Sequence, residues 1–484
     1  MTATDAGMQG AIRLAYYGDD FTGSTDTLAA VVAAGWRAAL FLDVPDAQDL
    51  AKFGPLDCVG VAGTARAMSP AEMDAALPRI FRGLAATGAH VLHYKTCSTF
   101  DSAPHIGSIG HAIRLARQAL GPRPAFIVGG QPNLGRYCVF ANLYARAGHG
   151  GPLYRIDRHP TMRQHPVTPM DEADLRVHLQ RQGLDGVASF DAEMLEEDAA
   201  AQARRLAALC ADGAGSVLFD VVSPAHLARI GALLWDFQGS GRQPLLAVGP
   251  TGATQALLAA ARPPPAPMTG SEIPGSTAAA MTPAGAPIPG QGNAGLALAQ
   301  CRGRPLSTAC APRAVSQTFI IAGSRSPVTA AQIAAAEHAG FASIPLDPVA
   351  MAGNDTVYGD ALARRIVALL REGRSVVAHS TLADDSAAHR PGFTRALATS
   401  CGRLMAEVLA RHPLRRVGLA GGDTSSLAVQ SWGARALTLA YVASPGVAVC
   451  RVHAPGHAAD GVELMLKGGQ MGPPDLFARL LDGA

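Results

Sequence analysis

The feature that most constrains this chain is a repeated alternation of short apolar runs, glycine- or hydroxyl-rich turns and stretches of helical periodicity. Runs at 12–17, 38–42, 58–62, 90–94, 125–128, 217–222 and 245–248 read as buried strands, with helices expected over 25–34, 69–86 and 108–120. Ser69 is a natural N-cap and Pro70 suits the first helical position. Strands apolar on both faces and separated by helices demand a parallel sheet covered on both sides. The pattern resumes with strands at 318–322, 342–345, 375–379, 416–420, 436–441, 447–452 and 462–466, helices at 329–339, 359–371 and 394–411, and a last helix after Pro474.

Between the two series lies a stretch rich in Pro, Gly and Ala with few bulky apolar residues, which cannot bury enough surface to offset the entropy of ordering it. The expected fold class is therefore α/β, two doubly wound, mostly parallel-sheet domains joined by a Pro/Gly/Ala-rich linker. The expected limits are 1–261 for the first domain, 262–316 for the linker and 317–484 for the second domain.

Composition removes several classes of function. With 48% hydrophobic residues the bulk of the chain is not disordered, and a net charge of +2 lacks the basic excess of a nucleic-acid binder. No run is long and apolar enough for a transmembrane helix, and the N-terminus does not read as a signal peptide. Eight cysteines without a CxxC pair argue for reduced thiols rather than zinc or disulfides. The expectation is a cytoplasmic protein without nucleic-acid or membrane partners; a homodimer is compatible with the sequence.

The candidate chemistry lies in the turns that follow strands, where open parallel sheets bind ligands. The first is Tyr17-Gly18-Asp19-Asp20-Phe21-Thr22-Gly23-Ser24. Its paired carboxylates can take a hydroxyl proton or hold a metal, or simply cap the next helix. The second runs from Lys95 through Ser98, Asp101 and Ser102 to Gly107-Ser108-Ile109-Gly110, a cation with hydroxyls and a helix start, suited to a polyhydroxy carboxylate. Lysine occurs only at Lys52, Lys95 and Lys467 in a chain that otherwise uses arginine, which adds interest to Lys95 and Lys467. Arg66, after the third strand, can clamp a carboxylate through two hydrogen bonds. Cys97 reads as a packing residue. The loops at 129–137 and 157–170, with His159 and His165, read as substrate-loop ordering rather than a zinc site.

In the second domain, Gly323-Ser324-Arg325-Ser326, Gly421-Gly422-Asp423-Thr424 and Lys467-Gly468-Gly469 each follow a strand. Small residues permit close backbone approach to phosphate oxygens, and helix starts favour anions, so three such turns point to a nucleotide.

Taken together, YGDDFTGSTD at 17–26, KTCSTFDSAPHIGSIG at 95–110, RHPTMRQHPVTPM at 158–170, AGSRSPVT at 322–329, AGGDTSS at 420–426 and KGGQMGPPDLF at 467–477 resemble the four-carbon acid sugar kinase family along nearly the whole chain. The resemblance implies an N-terminal domain for a four-carbon sugar acid and a C-terminal domain for ATP. It further implies transfer of the γ-phosphoryl group to the terminal hydroxyl of threonate, erythronate or a 3-oxo-tetronate. It places Asp19 or Asp20, Arg66, Lys95 and Ser98 around the acid, and Ser324, Gly421 to Thr424 and Gly468 or Gly469 around ATP. Asp20 (or Asp19) is expected to deprotonate the hydroxyl, with Arg66 and Lys95 on the carboxylate and Mg²⁺ on the phosphates, and closure over the linker to unite the two ends. The metal ligands are left unassigned.

The chain departs from threonate-type members in carrying Cys97 where they have Asp and Asp101 where they have Arg, which brings it nearer the 3-oxo-tetronate branch. Gly249-Pro250-Thr251-Gly252 replaces a Gly-Ser-x-Gly turn, and the linker is long. A nucleotide-binding sugar-acid sensor without turnover and a sugar-acid dehydrogenase are the alternatives; the lack of a GxGxxG turn counts against the second.

Overall fold

The computed structural model describes residues 12–121, 123–148, 150–165, 167–239, 243–261, 312–323, 326–380 and 392–483. Most of the expected linker and Ser324 lie outside them. The strands of the N-terminal half are β1 (Leu14–Gly18), β2 (Ala38–Phe41), β3 (Cys58–Ala62), β4 (Val91–Lys95), β5 (Ala125–Val128), β6 (Arg136–Val139), β7 (Asn142–Arg146), β8 (Leu153–Arg155), β9 (Val187–Phe190), β10 (Ser216–Phe219) and β11 (Leu245–Gly249). Those of the C-terminal half are β12 (Phe319–Ala322), β13 (Ala342–Leu346), β14 (Val376–Ser380), β15 (Arg416–Ala420), β16 (Ala436–Ser444), β17 (Val447–His453) and β18 (Glu463–Lys467).

Successive residues of β1 explain the covering by helices. Leu14 and Tyr16 enter one apolar core with Leu28, Val31, Ile230 and Leu257, while Ala15 and Tyr17 enter another with Leu77, Phe81, Ile113 and Ala116. In the C-terminal half, Phe319 and Ile321 face Ile366, Met405 and Val408, whereas Ile320 and Ala322 face Ala336, Leu476 and Phe477. Both halves are doubly wound, as the buried-strand pattern requires.

The halves are not separate sheets. Among the described residues fifteen strands form one sheet in the order β13-β14-β12-β15-β18-β17-β16-β2-β3-β1-β4-β11-β5-β10-β9. The join is the antiparallel pair β2–β16, with Phe41 opposite Ala436 and Leu40 opposite Leu437. Strands β16 and β17 are the antiparallel insertion in an otherwise parallel C-terminal series. Helix Phe21–Ala33 packs across the join, against β16, β17, β18 and helix Gly422–Gln430. A second sheet, β6-β7-β8, stands beside the N-terminal half. Among the described residues no helix is long and apolar enough to cross a membrane.

The C-terminal half is tied by a buried ion pair. The Arg416 guanidinium donates through Nε (2.9 Å) and Nη2 (2.7 Å) to Glu463 Oε2. It also donates to the carbonyls of Leu480 and Arg313, joining the sheet to the last helix and to the segment entering β12. Arg415, 3.3 Å from Glu463 Oε1, remains when Arg416 is removed, so Arg416→Met costs the buried hydrogen bonds on Oε2 and should destabilise the fold by about 1–3 kcal/mol, measured from chemical unfolding midpoints. A midpoint unchanged from the parent would contradict that role.

Candidate active site

The turns after β1, β3, β4 and β18 and the starts of helices Pro327–His338 and Phe393–Arg411 line a single cleft of ≈ 1040 Å³. One wall carries Asp19, Asp20, Arg66, Lys95 and Ser98, and the other Ser326, Gly468 and Gly469. The two halves meet closely here, since a Cβ on Gly468 would stand 4.0 Å from Thr22 Oγ1. The expected acid turn and the expected phosphate turn are thus neighbours without any swing of one half.

The two adjacent aspartates have different jobs. Asp20 is the N-cap of helix Phe21–Ala33, taking the Gly23 N–H on Oδ1 (2.8 Å) and the Thr22 hydroxyl on Oδ2 (2.6 Å). Asp19 accepts only the Cys97 N–H, on Oδ2 at 3.2 Å, and its buried Oδ1 has no hydrogen-bond partner among the described residues. Burial and the neighbouring Asp20 charge push Asp19 up to about 7, against the opposing pull of Lys95 and Arg66. The Lys95 ammonium donates to the Thr96 carbonyl at 2.7 Å. Gly23 is glycine because a Cβ there would overlap Lys95 Nζ and Asp20 Oδ1.

Arg66 borders the cleft with carboxylates already beside it. It is ion-paired with Asp101 and lies 3.5 Å from Asp20 Oδ2. Asp101 is buried and does not line the cleft; burial works against its charge, yet Arg66 and His165 together with the Cys97 and Thr99 hydrogen bonds hold its pKa below the usual carboxylate value. Ser102 is also withdrawn from the cleft. Its hydroxyl lies 2.9 Å from both the Phe100 carbonyl and His178 Nε2, holding a turn in which Phe100 adopts φ 51°. The helix start at Ser108 is no anion cradle either, since Gln182 Oε1 already accepts from the Gly110 N–H (3.0 Å). Ser98 borders the cleft, as does Cys97, whose thiol burial and the Asp101 charge push up to about 12.

A third wall, only partly foreseen, comes from β6 and the segment 159–168, and carries Gln131, Arg136, His159, His165 and Thr168. His159 Nδ1 accepts the N–H groups of Thr161 and Met162, both at 3.2 Å, and burial lowers its pKa, so the ring is neutral and orders the loop. On the C-terminal side, Gly421 has φ 133°, a backbone that side chains disfavour, and its N–H donates to the Lys467 carbonyl (2.9 Å). Gly421 precedes helix Gly422–Gln430, and Leu427 of that helix lines the cleft. Lys467 is buried behind the turn, donating to Thr329 Oγ1 (2.9 Å) and Gln332 Oε1 (2.7 Å), and burial lowers its pKa to about 7. Thr394 and Arg395 also border the cleft, the latter 3.7 Å from Glu72 across the two halves. No motif in the sequence announced them.

Among the described residues no three His, Cys, Asp or Glu side chains form a metal-holding group. Mg²⁺ is usually held by one or two carboxylates with substrate phosphates rather than in an all-protein cage. The cleft offers Asp20 and Asp26 for that purpose.

Residues 14–257 match the family described as the sugar-binding N-terminal domain, and residues 319–477 the nucleotide-binding C-terminal domain. The chain is 38% identical to a 3-oxo-isoapionate kinase of Paraburkholderia graminis, covering 97% of this chain and 94% of the relative. It is 29% identical to a 3-oxo-tetronate kinase of Cupriavidus necator, covering 96% and 95%. A crystal structure from Salmonella typhimurium superposes with a TM-score of 0.69 at 22% identity, over 97% of this chain and 98% of that one, and shares the fold.

The Cys97 environment makes a checkable statement. Only thiolate reacts with alkylating reagents, so at pH 8 Cys97 should be alkylated by iodoacetamide at least about 100-fold more slowly in the folded protein than in the urea-unfolded chain. Peptide mass mapping reads the rate. Comparable rates in the two states would restore Cys97 as a reactive group.

Proposed function

The chain belongs to the four-carbon acid sugar kinase family, and from that premise we propose that it transfers the γ-phosphoryl group of ATP to the terminal hydroxyl of a 3-oxo sugar acid. An ATP-dependent phosphotransferase is what family membership gives; the acceptor is the finer reading. The acceptor is taken from the names of the relatives, 3-oxo-isoapionate and 3-oxo-tetronate, with threonate and erythronate as the further four-carbon acids to test. One observation carries the reading: the Asp19–Lys95 wall and the Gly468–Gly469 turn face each other across one cleft, with Thr22 against Gly468.

Phosphoryl transfer asks mainly for positioning and for neutralisation of charge. Asp19 Oδ1 has an open acceptor position and a pKa near neutrality, which suits it to take the proton of the attacking hydroxyl. Asp20 is given a different role: it fixes the helix start and holds the Thr22 hydroxyl beside the phosphate turn. Lys95, above Gly23, supplies positive charge where the transferred group passes. Gly468 and Gly469, with the start of helix Gly422–Gln430 behind them, receive the phosphates through backbone N–H groups. Asp20 and Asp26 would hold Mg²⁺, which would supply neutralisation of the phosphate charge.

The assignment of Asp19 fixes a pH dependence. A base with a raised pKa is protonated and idle below it, so kcat/KM for the acid should fall tenfold per unit as pH drops below about 7. Asp19→Asn should lower kcat by at least about 1,000-fold while leaving the KM for ATP within about threefold. A coupled ADP assay on the four acids checks both. Substrate-independent ATP binding without ADP release would favour a sensor, and near-normal turnover by Asp19→Asn would remove the base assignment.

A further inference from the structure

The charges already spent within the cleft leave one cation over. Four cationic side chains border it among the described residues: Arg66, Lys95, Arg136 and Arg395. Arg66 is held by Asp101 and Asp20, and Arg395 faces Glu72. Lys95 stands with Asp20 over Gly23, at the reacting end. Arg136 pairs with no carboxylate among the described residues. The Asp101 charge reaches it, but that carboxylate is occupied by Arg66 and by the Thr99 hydroxyl (2.5 Å).

The guanidinium is nonetheless fixed. Its Nη1 donates to the carbonyls of Leu134 (2.8 Å) and Arg146 (3.2 Å), which pins the head group to the turn before β6 and to β7. Its Nε is buried with no hydrogen-bond partner among the described residues. A guanidinium whose Nη1 is committed to the backbone keeps its Nε–Nη2 edge for an external acceptor, and that edge matches the two oxygens of a carboxylate. A buried donor left unmade is costly unless a ligand completes it.

Resting on the kinase reading above, we infer that Arg136 is the anchor of the acid substrate's carboxylate, in place of Arg66. The exchange follows from the chain's own charge pattern. Asp101 neutralises Arg66 and turns it into a brace for Asp20, so the negative end of the substrate goes to the one fixed cation of the cleft that has no carboxylate partner among the described residues. The acid then lies with its carboxylate toward the β6 wall and its far hydroxyl toward Asp19 and the phosphate turn. Arg136 thereby selects acids over uncharged sugars of the same length.

The test is steady-state kinetics on 3-oxo-tetronate, generated in the assay, with the unaltered enzyme, Arg136→Gln and Arg136→Lys. Loss of a bidentate charged contact should raise the KM for the acid on the order of 100-fold in Arg136→Gln. The kcat and the KM for ATP should stay within about threefold, and Arg136→Lys should recover about a tenfold part of the loss. The ATP constant also reports that the variant is folded, and the lysine variant keeps a charge should the glutamine variant not fold. An acid KM unchanged by Arg136→Gln overturns the assignment while leaving the kinase reading intact. So does a parallel loss in kcat and in both KM values, which marks a purely structural residue. No turnover of any of the four acids by the unaltered enzyme overturns the kinase reading, and this inference with it.

Discussion

Helix Phe21–Ala33 is the element on which the arrangement depends. By chain order it belongs to the N-terminal half and begins at the Asp19–Asp20 turn, yet its body packs on β16, β17 and β18 of the other half. Leu28, Val31 and Val32 of this helix share one apolar core with Leu437, Cys450 and Leu464. Burial of that face costs far less than exposing it, so the start of the helix is held at the mouth of the nucleotide half. The β2–β16 pairing supplies the same constraint in the plane of the sheet. Together they place the Asp19–Asp20 turn and the Gly468–Gly469 turn side by side without a closure over the linker.

Charge placement in the cleft follows from that enclosure. Three aspartates, Asp19, Asp20 and Asp101, crowd the N-terminal wall, and each is handled differently. Asp101 is neutralised by Arg66, Asp20 is spent on a helix start, and Asp19 is left with an open oxygen and a raised pKa. Environment, not residue type, separates Asp19 from its neighbour and suits it to the proposed role of base. On the other side of the cleft, Lys467 is buried and ties the turn to helix Pro327–His338 through Thr329 and Gln332. Its lowered pKa reflects burial, which those hydrogen bonds offset.

Much of this was legible in the chain. The expected strands at 58–62, 125–128 and 416–420 coincide with β3, β5 and β15, because apolar runs bounded by turn residues leave little freedom in where a buried strand ends. The turns that line the cleft were likewise marked by glycine and hydroxyl residues. What escaped depends on partners far along the chain. The pairing of Leu40 with Leu437 has no local signal, so the two sheets expected from the sequence became one. Strands β6 to β8 are short, with half-buried residues along much of their length, and do not show the apolar run that betrays a core strand. Arg66 reads as a substrate clamp until Asp101, 35 positions later, is found on its guanidinium. Ser102 looked like part of a polar cradle, and only the proximity of His178 reveals it as a brace for Phe100.

The central claim is that one cleft holds the hydroxyl of the acid and the terminal phosphate of the nucleotide in reacting order. A crystal structure of the ternary complex with a non-hydrolysable ATP analogue and 3-oxo-tetronate measures it directly. The account predicts the γ-phosphorus roughly 3–3.5 Å from the terminal hydroxyl oxygen, with that hydroxyl on Asp19 Oδ1 and the phosphates over Gly468–Gly469. A nucleotide bound outside the cleft, or an acid whose hydroxyl points away from Asp19, would contradict it.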